Sequence, residues 1–159
     1  MNLLFSWNNR LAEATRSIEP LAYLFLRLWL AQEFIMAGYL KLSGGFHAPE
    51  WFAGLEFPLP VSLLPADINW SLAAGGEIIL GLLILLGLWG RLAAAGLLFI
   101  TFVAVYSVHF DLGLGGWNQI ETEQGLGFKV PLMMALMLLV LLFNGMGRFS
   151  LDYLWHKKA

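Results

Sequence analysis

Four ionisable residues stand deep in apolar sequence, and their types could do chemistry. Arg27 and Glu33 lie in "LFLRLWLAQEFIMAGYLKL" (Leu24–Leu42), Glu77 leads "GGEIILGLL", and His109 closes "VYSVHF". At 3.6 residues per turn, Arg27 and Glu33 point about 120° apart, so they do not form one amphipathic stripe. An ionised side chain at the centre of a bilayer costs about 2.5–3.5 kcal/mol, so each of these groups is expected to face protein or water. Two carboxylates in a low dielectric need a cation or a shared proton, which makes Glu33 and Glu77 candidates for proton transfer or metal binding. His109, with Tyr106 one turn below it, can be a ligand, a donor to a quinone carbonyl or a satisfied interface histidine. The expected polar pocket comprises Arg27, Gln32, Glu33, Lys41, Glu77, His109 and Lys129, and the candidate metal set is Glu33, Glu77 and His109. Arg27 and the two glutamates are expected to form one interior network. The alternative is an Arg27–Glu ion pair that only fixes helix register. No haem is expected, because His47 and His156 lie outside the apolar segments and leave His109 without a facing partner.

The elements that must position these residues are membrane spans. Of 159 residues, 59% are hydrophobic and 13% charged, against about 25% charged in a soluble domain. The net charge of -2 argues against a nucleic-acid partner, and zero cysteines exclude disulfides, thiolate metal sites and Cys nucleophiles. Length allows one domain, residues 1–159. A bilayer core of about 30 Å takes roughly 20 helical residues, and four segments qualify, at about 21–41, 70–89, 92–110 and 128–143. Pro20 suits the first turn of a helix, and "GLWGR" (Gly87–Arg91) joins the second and third spans as antiparallel neighbours. At about 1.5 Å per residue, Glu33 and Glu77 are expected at one depth, with His109 further towards the outer face and Arg27 about 9 Å from the cytoplasmic one.

Arg10, Arg16, Arg91, Arg148, Lys157 and Lys158 collect on one side, whereas the opposite loops carry mainly Glu and Asp. The excess of Lys and Arg predicts a multi-pass protein of the inner membrane with both termini cytoplasmic. Leu4, Trp7, Leu11, Ala14 and Ile18 recur at helical spacing, which predicts an interfacial helix over 1–19 and not a signal peptide. "APEWFAGLEFPLP" predicts a short interfacial helix from Pro49, with Trp51, Phe52 and Leu55 towards the bilayer. Trp117 is an expected interface anchor in the Gly-rich second outer loop, and Ser150 caps a short tail helix ahead of Asp152. The fold class is all-α: an integral membrane four-helix bundle with interfacial helices in the N-terminal region, the first outer loop and the C-terminal tail.

The order of "LFLRLWLAQEFIMAGYLKL", "GGEIILGLLILLGLWGRLAAAGLL" and "GMGRFSLDYL" resembles the DoxX-like family of small four-helix bacterial membrane proteins, over about Leu21 to Leu154. The resemblance makes Arg27, Gly38, Lys41, Glu77, Gly81, Gly87, Arg91, Gly147, Ser150 and Asp152 family-pattern positions. Relatives often open span four with an acidic residue before an aromatic and Pro; here Lys129 precedes Val130 and Pro131. The long "GWNQIETEQ" loop is similar to that of DoxX-like members encoded beside copper-binding peptide maturation proteins. The family's association with membrane oxidoreductases, including thiosulfate:quinone oxidoreductase, implies a subunit next to a redox or maturation partner. Its ligand would be a quinone, a proton or a metal ion. A non-catalytic scaffold and a small ion or metallophore conduit are the other readings, and the bilayer and a second copy of the chain are further expected partners.

Overall fold

The computed structural model describes residues 2–157. The side chain of Leu4 and the residue Lys158, both used in the sequence reading, lie outside the described residues. Helix α1 (Asn2–Arg16) leads into α2 (Glu19–Ser43), with Pro20 in the first turn of the latter. A short α3 (Glu50–Ala53) and a 3-10 turn (Val61–Leu63) fill the first long loop. Helices α4 (Ala66–Leu86) and α5 (Gly90–Val108) follow. A second loop holds a 3-10 segment (Gly113–Asn118) and a two-stranded hairpin, β1 (Glu121–Thr122) paired antiparallel with β2 (Gly125–Leu126). The chain ends with α6 (Lys129–Asn144) and α7 (Leu151–His156).

The long helices form a closed ring: α2 against α4, α4 against α5, α5 against α6, and α6 back on α2. Small residues set the tightest contact. A Cβ on Gly38 would stand 2.6 Å from the Ala74 carbonyl oxygen, and one on Gly81 would stand 2.9 Å from the Ile35 side chain. Such approach is how helices associate where lipid removes the hydrophobic drive between them. Leu30, Ala31, Phe34, Ile84, Ala93, Ala94, Leu97, Leu138 and Leu141 fill the interior. The outward faces are apolar as well, with Leu40, Ile79, Phe102, Leu136 and Phe143 exposed. Helices apolar on every side belong in a bilayer. Three helices, α2, α4 and α5, are long and apolar enough to cross one. The fourth expected span is α6, whose 16 residues rise only about 24 Å.

Two expectations change at the level of elements. Phe52 does not face lipid: it is buried, with its ring 4.9 Å from Trp70 and 5.0 Å from Phe57. The first loop therefore folds inward onto α4. Asn69 Nδ2 donates to the Val61 and Leu64 carbonyls, Trp70 Nε1 to Gly45, and the Ala48 N–H to Asp67 Oδ1. The second, Gly-rich loop contains a short hairpin that the sequence reading did not include. Thr122 Oγ1 and Asp111 Oδ2 close it by accepting from Gln124 and Leu126 N–H groups.

Candidate functional site

The buried polar groups collect at opposite ends of the helix ring. At the end carrying both termini, Arg27 is 1% exposed. Its Nε donates to Ile84 O (2.9 Å), Nη2 to Leu85 O (2.5 Å), and Nη1 to Phe149 O (2.7 Å) and Met146 O (3.3 Å). Two of these acceptors are carbonyls of the last turn of α4, at the negative end of the helix dipole, and Ile84 O also accepts from the Gly87 N–H at 3.1 Å. The other two belong to the turn between α6 and α7. Arg27 thus joins α2, α4 and that turn, and among the described residues no glutamate pairs with it. The expected network of Arg27 with Glu33 and Glu77 does not form. The guanidinium fork reaches four carbonyls nearer than either carboxylate.

The same junction uses the turn chemistry of "GLWGR" and "GMGRFSLD". Gly87 is left-handed (φ 64°), and the Leu88 N–H returns to Leu83 O at 3.0 Å, which closes α4. Beyond it, Asp152 accepts from the N–H groups of Trp89 (2.8 Å) and Gly90 (2.9 Å), so a side chain of α7 caps the start of α5. Ser150 Oγ accepts from the Tyr153 N–H as the cap of α7 and donates to Gly147 O. Gly147 (φ 74°) lies against Tyr23. Arg91 is exposed beside Gly145.

At the other end, Lys41 Nζ bonds both oxygens of Glu77, at 2.8 and 2.7 Å. Lys41 is half-buried and Glu77 buried, so each charge answers the other in a low dielectric. Beside the pair lies a largely apolar cavity of about 750 Å³ between α4 and α5, roofed by the first loop. Trp51, Phe52, Phe57 and Leu64 form the roof, and Leu80 and Gly96 close the floor. Its polar groups are Lys41, Glu77, Asn69, Ser107 and His109.

Of the sequence-predicted pocket, the structure brings together Lys41, Glu77 and His109. Glu33 is half-buried on another face of α2, Gln32 is exposed, and Lys129 stands in the first turn of α6; none of the three borders the cavity. The carboxylates are not at one depth. Glu77 is level with Gly38, and Glu33 lies five residues, about 7.5 Å, closer to the termini. The expectation failed because depth counted along each helix separately does not fix the register between them, which the Gly38–Ala74 and Gly81–Ile35 contacts set. The candidate metal set of Glu33, Glu77 and His109 is not assembled. Among the described residues no group of three or more His, Asp or Glu could hold a metal ion, and the Glu77 carboxylate already faces an ammonium.

Sequence reasoning missed Asn69, Ser107 and the inward-facing first loop. Ser107 was detectable: Gly96, Ile100, Val103 and Ser107 are spaced at 4, 3 and 4, one stripe of α5. The roof was not, since nothing in the periodicity of a 22-residue connection between α2 and α4 says which way it folds.

The DoxX family profile matches residues 22–110, which carry α2 through α5. The chain belongs to the DoxX family. The match covers Arg27, Lys41, Glu77 and His109 and stops before α6, so the "GMGRFSLD" junction lies beyond it. Over 136 residues the chain is 40% identical to an uncharacterized protein of Haemophilus influenzae, across 84% of this chain and 83% of that one. No solved structure matches it.

Proposed function

We propose that this chain is a multi-pass inner-membrane subunit of an oxidoreductase or copper-peptide maturation system, and that its cavity holds a neutral, lipid-soluble, quinone-like molecule. The observation that carries the reading is the cavity's chemistry. Its volume of about 750 Å³ falls in the roughly 300–1,000 Å³ range of small-molecule sites, and a few polar groups converge in an apolar wall as such sites require. Lys41 and Glu77 neutralise each other, so the cavity offers no net charge to a bare cation or an anionic head group. The absence of cysteine removes thiolate chemistry, and the redox centre belongs to the partner.

Exposed Arg10, Arg16, Arg91 and Arg148 at the junction end support cytoplasmic termini and an outer-leaflet cavity. In that orientation α6 also crosses, its short length completed by the flanking loops. The exposed Phe5, Trp7 and Leu11 of α1 give it the apolar face of an interfacial helix. A second reading, a scaffold that recruits its partner through the tail, is favoured by the exposed Leu154 and Trp155 of α7.

Native mass spectrometry on the detergent-purified protein, beside Glu77→Gln, tests the proposal. A co-purifying neutral lipid-soluble molecule that is lost from the folded variant is the expected outcome. An empty, folded wild type would overturn it and leave the scaffold reading.

A further inference from the structure

The cavity's polar atoms are unequally engaged. Lys41 and Glu77 bond each other, and Asn69 donates twice to carbonyls of the first loop. Ser107 Oγ and His109 Nδ1 are the exceptions: both atoms are buried, both residues line the cavity, and neither atom has a hydrogen-bond partner among the described residues, although the His109 ring also stands near the Gly127 backbone. A buried polar group left unpaired costs free energy, and native proteins keep few of them. A serine near a helix end has an easy local remedy, the carbonyl four residues back. Thr101, on the same helix, takes it by bonding Leu97 O at 2.8 Å. Ser107 does not. Helix α5 ends at Val108, and His109 has already left helical geometry (φ -109°, ψ 14°). The unused hydrogen-bonding capacity is therefore confined to one end of an otherwise apolar chamber.

We infer that Ser107 and His109 form the head-group subsite of this cavity, binding a carbonyl or hydroxyl oxygen of a lipid-soluble molecule whose apolar body runs between α4 and α5. The inference rests on the reading that the cavity holds a ligand. A carbonyl accepts from the Ser107 hydroxyl and from His109 when its proton is on Nδ1. A hydroxyl accepts from Ser107 and donates to an unprotonated Nδ1. A shift of histidine tautomer thus lets one subsite hold both a carbonyl compound and its reduced hydroxyl form. The body follows the α5 stripe from Ser107 down to Gly96, eleven residues or about 16 Å, where Leu80 closes the floor. Leu72 and Phe99 line the cavity and are also exposed on the outward faces of α4 and α5. The mouth therefore opens where lipid would lie, and the ligand enters from the bilayer.

The test uses full-length protein in lipid nanodiscs and two probes, a decyl-substituted benzoquinone and decylbenzene, which lacks the oxygens. Quinone dissociation constants come from quenching of tryptophan fluorescence, with Trp51 in the cavity roof as a reporter, and decylbenzene, which does not quench, is measured by its competition with the quinone. The quinone should bind wild type more tightly than decylbenzene. Ser107→Ala and His109→Phe should each weaken the quinone about tenfold, the loss of roughly one hydrogen bond in a dry site, and leave decylbenzene unchanged. The infrared carbonyl band of bound quinone should return towards its free position in both variants. Ser107→Ala without ligand should unfold no earlier than wild type, since no native partner is lost. This guards the test against a folding defect in His109→Phe. Equal quinone binding by wild type and both variants, or equal binding of the two probes, overturns the subsite and leaves the ligand cavity standing. Failure of wild type to bind either probe overturns both.

Discussion

Arg27 satisfies four carbonyl oxygens, so Arg27→Leu should lower the unfolding midpoint in detergent through a loss of about 3 kcal/mol or more, as buried acceptors lose their donors. Arg27→Lys should recover only part of this, because an ammonium is a point charge and cannot span the ends of α4 and the α6–α7 turn as the planar fork does. The ion pair behaves differently. Lys41→Met leaves the Glu77 carboxylate buried and unanswered, at a cost of about 3–5 kcal/mol, whereas Lys41→Met with Glu77→Gln should restore most of the stability. Unfolding midpoints of the two single variants and the double variant check the coupling; additive losses would show that the pair is not energetically joined. The types of these residues were legible in the sequence as charges that must be answered. Their partners were not. Arg27 found carbonyls instead of a carboxylate, and backbone acceptors leave no trace in a pattern of side chains.

The turn between α4 and α5 depends on a helix sixty residues away. Asp152→Ala removes the acceptor for the Trp89 and Gly90 N–H groups and should cost about 0.5–2 kcal/mol, the range for losing an N-cap. Asp152→Asn should cost less, since its side-chain oxygen still accepts. Hydrogen exchange at Trp89 and Gly90, faster in Asp152→Ala alone, would locate the effect. Truncation after Arg148 deletes Ser150 and Asp152 together, so it should destabilise the bundle as well as remove any partner contact of α7. A pull-down with truncated protein therefore needs Leu154→Ser with Trp155→Ser as the companion variant, which spares the cap and changes only exposed residues. Hydropathy placed the four apolar segments to within about four residues of each end of α2, α4, α5 and α6. It did not reveal the inward fold of the first loop, because Trp51, Phe52 and Leu55 suit a lipid surface and a protein interior equally well.

At the scale of the molecule, membrane residence follows from helices that are apolar both inside and outside the ring. The proposed orientation rests on charge. Reporter fusions test it: green fluorescent protein should fluoresce at either terminus, and alkaline phosphatase inserted in the 119–125 loop should be active. An active loop fusion with a dark C-terminal fusion would mean that α6 does not cross as proposed.

Composition and hydropathy by themselves determined that the chain lives in a bilayer, is all-α, and must shelter Arg27 and Glu77. Those conclusions come from solvation, which each segment obeys independently of the others. The tertiary structure alone decided the register of α2 against α4, set by Gly38 on Ala74 and Gly81 on Ile35. That register puts Lys41 on Glu77 and leaves Glu33 apart. Register is a property of two surfaces in contact, and a helix pattern describes only one surface at a time.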